Sequence, residues 1–239
     1  MKKQYHIAGL NVEMDSFGRT VEQAQRYECE RFAKADIEIA SLWERDKHLY
    51  PYLSDEDGEY LATGSDFYKK LLRFNGFMLH SSAVVMDGKA YLFTADSGTG
   101  KSTHTALWLK AFGNRAYMLN DDKPALRQEN GTWNVYGTPW SGKHDISTNA
   151  CVPLLGIAII ERCETNRMVR VTGMDAIMTI IRQANRPKDM QSRTMLLELI
   201  NALILQVPIW KLECNMEMDA AILSYETMSG VKWRNENEE

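Results

Sequence analysis

The chain contains 239 residues, of which 44% are hydrophobic and 25% are charged, as in an ordinary globular protein. Its formal net charge of -4 provides no general attraction to nucleic acid or to an anionic membrane, so we expect neither as a partner. The four cysteines form no C-x-x-C pair and no Cys/His ligand spacing, which favours free thiols over disulfides or a zinc site.

The sequence carries no signal for export or for membrane insertion. Residues 1–15 contain two lysines but no apolar run. The longest apolar run, at 195–207, is interrupted by Glu198, Asn201 and Gln206 and is too short to cross a membrane. We therefore expect a cytoplasmic protein, with a disordered polar tail at 235–239.

The N-terminal third, residues 1–75, is predicted to form a small accessory region packed on a larger core. Its apolar residues alternate over residues 5–12, a pattern typical of a strand. Residues 21–32 and 71–77 have helical or mixed character. Residues 55–58 have the composition of an exposed turn.

The middle of the chain has clearer signals. Residues 82–86 and 89–94 are apolar, β-rich runs separated by Asp87–Gly88, the two-residue signal of a type I′ hairpin. A glycine-rich turn follows. A helix is then predicted over 102–112, with Gly113 just beyond its end.

Two further strand pairs are predicted downstream. Asn130–Gly131 is the turn signal of a hairpin formed by residues 125–128 and 132–136. Residues 154–161 and 168–171 are predicted to pair with each other around a polar turn.

The last part of the chain alternates helices with one strand. Helices are predicted over 174–183 and 192–205, followed by a strand over 209–214 and an amphipathic helix over 219–230. The many hairpins favour a mixed sheet flanked by helices over a purely parallel, doubly wound sheet. We therefore expect an α/β fold of mixed α+β type, in which residues 76–234 form the larger domain.

Residues 95–102 fit the pattern of a phosphate-binding loop, in which Gly or Ala is followed by four residues and then by Gly-Lys-Ser. Gly98 and Gly100 allow positive φ, so that successive backbone N–H groups can point at phosphates. Lys101 can reach the β- and γ-phosphates, and the Ser102 hydroxyl can ligate Mg²⁺. The positive end of the following helix adds to this attraction.

This octamer has two interpretations. A Gly-Lys-Ser sequence can occur at a turn by chance. Here it follows an apolar strand and precedes a helical pattern, which is the context that nucleotide binding requires. Ala95 stands where glycine is usual, so the loop must begin with an ordinary backbone conformation.

A strand predicted over 116–119 leads into two acidic residues, Asp121 and Asp122, where a P-loop protein places its metal-binding acid. Neighbouring side chains of a strand point to opposite faces, so both carboxylates can serve the phosphates if the strand ends at Asn120. One would then hold Mg²⁺ and the other would accept the proton of an attacking hydroxyl. The alternative is a polar turn in which Asp122 caps the next segment.

The sequence at 80–93, the loop at 96–102 and the Leu-Asn-Asp-Asp at 119–122 resemble the catalytic core of the HPr kinase/phosphorylase family. This family is grouped with phosphoenolpyruvate carboxykinase in an unusual P-loop fold. The resemblance runs over 79–122 and continues more weakly through 152–161, so it implies an HPr kinase/PEP carboxykinase-like fold.

The resemblance also implies roles for individual residues. Asp122 would be the catalytic base, Ser102 and Asp121 would bind Mg²⁺, and His80 would act close to the phosphates. Taken alone, His80 would more often be a hydrogen-bonded structural residue. The nucleotide would be held by the loop residues Ser97, Gly98, Thr99, Gly100, Lys101, Ser102 and Thr103, of which Lys101 also counts as catalytic.

Segment 136–145 departs from the family, because it lacks the glutamate that HPr kinases carry as a further metal ligand. No counterpart of the family's distal catalytic arginine was found, so phosphorylation of HPr itself is not implied. The segment is a candidate substrate loop, in which Lys143 or His144 could reach a phosphoryl group or an acidic substrate. Trp140 could pack against a base or a peptide. The alternative is a surface loop shaped by its Pro and Gly.

Arg182, Arg186 and Arg193 lie around a proline-containing loop. One of them could supply charge to a transition state, although solvated charges at helix ends are the commoner arrangement.

Two functions fit these patterns. The first is a kinase that uses ATP or GTP with Mg²⁺ to phosphorylate a hydroxyl of a peptide, a protein or a small molecule. The second is a nucleotide-binding regulatory protein without phosphotransfer. Carboxykinase chemistry is disfavoured, because no second constellation of His and Lys accompanies the loop. Either function is compatible with a homo-oligomer.

Overall fold

The structure, a computed structural model, describes residues 2–40 and 42–233, so the predicted tail at 235–239 lies outside the described residues. Within them, no helix has the length and apolar character needed to cross a membrane. The strands are β1 (Lys3–Ile7), β2 (Leu10–Asp15), β3 (Ile37–Ala40), β4 (Gly76–Met78), β5 (Ser81–Met86), β6 (Lys89–Thr94), β7 (Ala116–Asp122), β8 (Ala125–Glu129), β9 (Thr132–Tyr136), β10 (Cys151–Arg162), β11 (Arg167–Val171) and β12 (Ile209–Cys214). The α-helices are α1 (Gly18–Ala24), α2 (Trp43–Asp46), α3 (Asp55–Leu71), α4 (Lys101–Phe112), α5 (Gly173–Gln183), α6 (Met190–Gln206) and α7 (Met218–Ser229).

The N-terminal region forms its own three-stranded sheet with the order β1-β2-β3. β1 and β2 are antiparallel, and β3 is parallel to β2. The alternating pattern over residues 5–12 thus contains two strands and a turn, not the single strand predicted. The turn uses positive φ at Ala8 (53°) and Gly9 (73°), which apolar alternation alone does not reveal.

Helix α3 begins where the sequence predicted an exposed turn at 55–58, so that prediction is wrong. Ser54 caps the helix, because its hydroxyl accepts a hydrogen bond from the Asp57 N–H at 3.1 Å. The acidic residues of the first turn also suit the positive end of the helix dipole. Gly58 is required by packing, since a Cβ there would lie 2.3 Å from the Trp43 ring.

The other nine strands of the described residues form one mixed sheet. Seven follow the order β4-β8-β9-β10-β6-β5-β7, while β12 pairs with β10 and carries β11 on its far side. Two predicted hairpins are confirmed, across Asp87–Gly88 and across Asn130–Gly131. Both turns have positive φ at both central residues, as type I′ geometry requires. The predicted α/β class with a mixed sheet is confirmed.

The predicted pairing of residues 154–161 with 168–171 is wrong. Both segments are strands, β10 and β11, but β12 lies between them. β12 runs parallel to β10, with Ile157 opposite Ile209, and antiparallel to β11. A polar turn between two strands shows that the chain reverses there, yet it does not exclude a third strand from inserting between them.

Helices cover both faces of the main sheet, and its strands alternate between the two cores. On one face, α5 and α6 pack on a cluster that includes Leu92 and Ile157. On the other face, α4 and α7 pack on a cluster that includes Phe93, Trp108 and Ala158. The sheet is therefore buried on both sides, which fixes the register of its central strands.

A third cluster joins the N-terminal sheet and α3 to the main sheet. It contains Tyr5 and Phe67 from the N-terminal region together with Ala125, Tyr136 and Trp140 from further along the chain. The N-terminal region thus shares a core with strands of the larger predicted domain. The boundary predicted at residue 75 stays a prediction.

Arg127 is a buried side chain on β8 that links the N-terminal region to the main sheet. Its guanidinium donates to the Ala8 carbonyl at 2.7 Å and to the Phe74 carbonyl at 3.1 Å, and it pairs with Glu129 at 3.1 Å. The side chain is 8% exposed. Removing the guanidinium would leave the Ala8 and Phe74 carbonyls without this donor and would remove the cation that pairs with Glu129.

We therefore expect Arg127→Met to lower the free energy of unfolding by about 2 kcal/mol in a urea titration. Arg31→Met, at an exposed position, is the matched control and should change it by less than about 0.5 kcal/mol. Equal unfolding free energies for the two variants would show that Arg127 does not tie the N-terminal region to the sheet.

Candidate functional site

The site is positioned by β5, which lies between β6 and β7 and is antiparallel to both. β6 and β7 are therefore parallel to each other and end at the same edge of the sheet. In this register Ser81 lies opposite Thr94 on one side and opposite Asp122 on the other. The glycine-rich loop that follows β6 and the two aspartates that end β7 thus meet at one sheet edge.

The loop between β6 and α4 takes its shape from two glycines. Gly98 and Gly100 have φ values of 77° and 128°, which other residues rarely adopt. A Cβ at either position would meet nothing within 4 Å, so the need for glycine is conformational. α4 begins at Lys101 with no side-chain cap. Its first N–H groups are therefore left to other acceptors.

Lys101 is folded into this loop. Its side chain donates to the Ala95 carbonyl at 2.9 Å and is largely buried, at 9% exposure. Burial lowers the pKa of Lys101 from its ordinary value, while the charges of Asp122, Asp121 and Asp96 oppose that shift. The ammonium thus lies within reach of both aspartates and inside the loop.

Asp121 faces the start of α4. Its Oδ1 accepts hydrogen bonds from Ser102 Oγ at 3.0 Å and from Ser82 Oγ. A hydroxyl and a carboxylate are hard oxygen ligands of the kind that Mg²⁺ prefers. No group of three or more His, Cys, Asp or Glu side chains suited to a metal ion occurs in the described chain. A cation between Ser102 and Asp121 would therefore need water or phosphate oxygens as its further ligands.

Asp122 has different partners from Asp121, because β7 continues through both residues instead of ending at Asn120. Its carboxylate contacts His80 Nε2 at 3.2 Å and pairs with Lys123. Burial on its own raises the pKa of Asp122. The hydrogen bond from His80 and the charge of Lys123 outweigh burial, so the net pKa lies below the ordinary value.

A hydrogen-bonded chain connects Asp122 to the loop. His80 Nδ1 lies 3.1 Å from Gln183 Oε1, and Gln183 Nε2 donates to Asp96 Oδ1 at 2.9 Å. The Asp96 contact fixes the orientation of the Gln183 amide, so both nitrogens of His80 face acceptor oxygens.

Two residues at this edge were missed by sequence reasoning. Gln183 ends α5, and no local signal points to it. Arg162 ends β10, which is parallel to β6 and therefore ends at the same edge. Its guanidinium donates to the Thr99 carbonyl at 2.9 Å and to the Gly98 carbonyl at 2.5 Å. The sequence signal for Arg162 was a charged residue at the end of an apolar strand. That signal indicates a site residue only when the strand order is known.

The candidate substrate loop divides into two parts. Trp140 is fully buried, and its ring stacks on the Phe67 ring with 4.8 Å between the ring centroids. Its Nε1–H donates to Thr63 Oγ1 at 3.3 Å. This corrects the expectation that Trp140 packs against a base or a peptide, because its ring is occupied by the protein core. Lys143 and His144 are exposed. The adjacent Gly142 touches Asp122, since a Cβ built there would lie 3.1 Å from Asp122 Cβ.

Two cavities flank the loop. The first, of about 590 Å³, is polar and is lined by Ser97, Gly98, Arg162, Arg182 and Gln183 among others. Of the three arginines singled out from sequence, Arg182 lines this cavity, while Arg193 donates to the Pro187 carbonyl at 2.9 Å.

The second cavity, of about 500 Å³, lies on the α4 side of the loop. Its lining combines the loop and helix residues Thr99 and Thr103 with the apolar side chains Leu107, Ile160 and Met216. A ligand in it would contact both the loop backbone and an apolar wall.

Comparison with known proteins finds similarity to solved structures but no match to a family model or a curated sequence. No protein-family model matches the chain, and no curated protein matches it. Among solved structures, the Hpr(Ser) kinase/phosphatase from Coxiella burnetii is similar, with 12% identity over 64% of this chain and 95% of that chain. Its TM-score is 0.38, and a similarity at this level shows nothing about function.

His104, on the buried face of α4, is held by packing. Its Nε2 lies 3.1 Å from Ser224 Oγ, and its ring lies 4.5 Å from the Phe93 ring. Burial lowers its pKa from 6.5 to about 3. Between these two values the unfolded chain binds a proton at this position and the folded chain does not. Stability is therefore lost as the pH falls from about 6.5 towards 3.

His104→Gln should make the free energy of unfolding depend less on pH. The free energy of unfolding of the parent chain should fall by up to about 1.4 kcal/mol per pH unit below pH 6.5, relative to the variant. Urea titrations at several pH values between about 6.5 and 4 measure both slopes. His48→Gln, at an exposed position, is the control and should retain the parent slope. Parallel curves for His104→Gln and the parent would show that His104 is not buried in its neutral form.

Proposed function

We propose that the chain binds a nucleoside triphosphate at residues 97–103 and transfers its γ-phosphoryl group to a hydroxyl, with Mg²⁺. One observation supports this most strongly. At a single sheet edge, Lys101 lies inside a glycine-shaped loop, Ser102 contacts Asp121, and Asp122 lies next to His80. Phosphoryl transfer needs mostly positioning and charge neutralisation, and these groups provide both.

The loop would bind the phosphates with its backbone. The positive φ of Gly98 and Gly100 turns successive N–H groups inward, and the uncapped start of α4 adds further donors. Lys101 would exchange its bond to the Ala95 carbonyl for phosphate oxygens. Arg162 would keep the loop in shape through the Gly98 and Thr99 carbonyls.

Ser102 and Asp121 would hold Mg²⁺, which would neutralise charge on the transferring phosphoryl group. Their contact of 3.0 Å already brings a hydroxyl and a carboxylate oxygen together at the start of α4. Ser82, which also donates to Asp121, fixes the orientation of that carboxylate. The oxygen ligands are thus oriented by β5 and α4 before any cation binds.

Asp122 would accept the proton of the attacking hydroxyl. Its lowered pKa keeps it ionised near neutral pH, so that it is ready to accept. His80 orients the carboxylate through the 3.2 Å contact. The nucleotide base fits the cavity of about 500 Å³ beside Thr99 and Thr103, whose apolar wall suits either ATP or GTP.

A second function is supported by the pairing of Asp122. Lys123 and His80 already occupy this carboxylate, which leaves less capacity for accepting a proton. A chain that bound the nucleotide without transferring its phosphoryl group would act as a regulatory or interaction protein. The same loop would serve both functions, so turnover is what separates them.

Lys101→Ala should weaken binding of ATP with Mg²⁺ by more than about tenfold, because the phosphates lose the buried ammonium. Isothermal titration calorimetry of the parent and the variant measures this. Lys110→Ala, which removes an exposed lysine from the same helix, is the control and should bind like the parent. Equal affinity in Lys101→Ala, or no binding by the parent, would overturn the nucleotide site.

Asp122→Asn should bind ATP with Mg²⁺ about as the parent does but lose turnover by about 10²–10⁴-fold, because the amide cannot take the hydroxyl proton. Transfer from γ-labelled ATP to a panel of hydroxyl compounds and peptides measures this. Asp175→Asn, exposed on α5, should keep the parent rate. Full turnover in Asp122→Asn would exclude the base role. Binding without transfer by the parent would favour the regulatory function.

A further inference from the structure

A third cavity, of about 600 Å³, is lined by residues of the N-terminal helices and of the larger part of the chain. This volume lies within the range of sites for small organic molecules. Its walls are rich in aromatic side chains, which come from two distant parts of the chain: Trp43, Tyr50, Tyr52, Tyr60, Tyr68 and Trp140.

The inner end of this aromatic cavity lies at the proposed base. Lys123 lines the cavity, and its ammonium pairs with Asp122. The same ammonium lies 5.2 Å from the centre of the Tyr60 ring. Tyr60 also accepts a hydrogen bond from the Gly142 N–H at 2.9 Å, and Gly142 touches Asp122. A ligand that filled the cavity would therefore contact Lys123, the side chain that pairs with the Asp122 carboxylate.

Several of the charged side chains that line the cavity are paired with opposite charges. Lys69 pairs with Asp189 at 3.0 Å, and Asp66 pairs with Lys70 at 2.6 Å. Lys123 is neutralised by Asp122 in the same way. The wall therefore offers a ligand mainly apolar surface, in which Tyr50 and Tyr52 are the lining aromatic side chains that are not buried.

The rim of the cavity exposes apolar surface. Tyr52 is 78% exposed, Leu61 46% and Leu42 39%, and all three line the cavity. Exposed apolar side chains that surround a concave site are typical of ligand entry. The polar cavity beside Ser97, with Arg162 and Arg182, suits phosphate groups instead.

From this geometry we infer that the aromatic cavity binds the phosphoryl acceptor, and that the acceptor is a small, neutral, aromatic alcohol. The inference rests on the proposed kinase function. In the step, the acceptor hydroxyl gives its proton to Asp122, and its oxygen forms a bond to the γ-phosphorus. The bond from that phosphorus to the bridging oxygen of the β-phosphate breaks, and the nucleoside diphosphate leaves with those electrons.

Binding of 2-phenylethanol to the nucleotide-free protein tests the cavity directly, with saturation-transfer NMR as the readout. Two variants block the cavity from exposed positions of α3: Ser65→Trp fills it, and Leu61→Lys adds a charge to its rim. Asn201→Trp, an equally bulky change on exposed α6, is the matched control. Thermal unfolding of each variant shows whether it is folded.

The parent and Asn201→Trp should bind 2-phenylethanol, and the two blocked variants should bind it about tenfold more weakly or not at all. Equal binding by all four proteins, or no binding by the parent, would overturn the inference. If a serine peptide without aromatic residues, or glycerol, saturates the parent at lower concentration than 2-phenylethanol, the acceptor class is wrong. If one blocked variant unfolds, the other still gives a result.

Turnover separates this inference from the proposed function. The parent should release ADP from ATP faster in the presence of 2-phenylethanol, and the blocked variants should lose this stimulation while retaining ATP affinity by calorimetry. Stimulation that persists in folded, blocked variants would place the acceptor elsewhere and would leave the kinase function intact. If the parent does not bind ATP, the proposed function is wrong. The NMR experiment still decides whether the cavity binds 2-phenylethanol, because it uses the nucleotide-free protein.

Discussion

The two antiparallel pairings of β5 bring together the glycine-rich loop after β6 and the two aspartates at the end of β7. All six residues of β5 are buried, so the strand is held by the cores on both faces of the sheet. A slip of one residue against β7 would exchange the faces of Asp121 and Asp122 and separate Asp121 from Ser102. The loop and the aspartates therefore meet because β5 cannot shift, although they are far apart in sequence.

This arrangement concentrates charge around a buried lysine. Lys101 loses solvation inside the loop, and three carboxylates within electrostatic reach offset only part of that cost. The hydrogen-bonded chain through His80 and Gln183 links one of these carboxylates to the loop residue Asp96. The site is thus organised before any ligand binds.

Sequence reasoning succeeded where the structure is determined locally. Asp87–Gly88 was sufficient for its hairpin, because a two-residue turn fixes the register of its flanking strands. It failed where distant segments decide the outcome. β12 inserts between β10 and β11, and Trp43 packs on Gly58 at the start of a helix predicted as a turn. Of the site, the loop and the Asp pair were predictable, whereas Arg162 and Gln183 were not, because strand order brings Arg162 to that edge and the packing of α5 on the sheet brings Gln183 there.

Asp122 is where the two candidate functions diverge. Paired with Lys123 and His80, its carboxylate is held ionised and has one partner on each oxygen. An acceptor entering the aromatic cavity would meet Lys123 first, because that side chain stands between Tyr60 and Asp122. Displacing the ammonium would free Asp122 Oδ2, while His80 would stay on Oδ1. The acceptor hydroxyl would then donate to the freed oxygen, and a chain without an acceptor would hold its nucleotide unreacted.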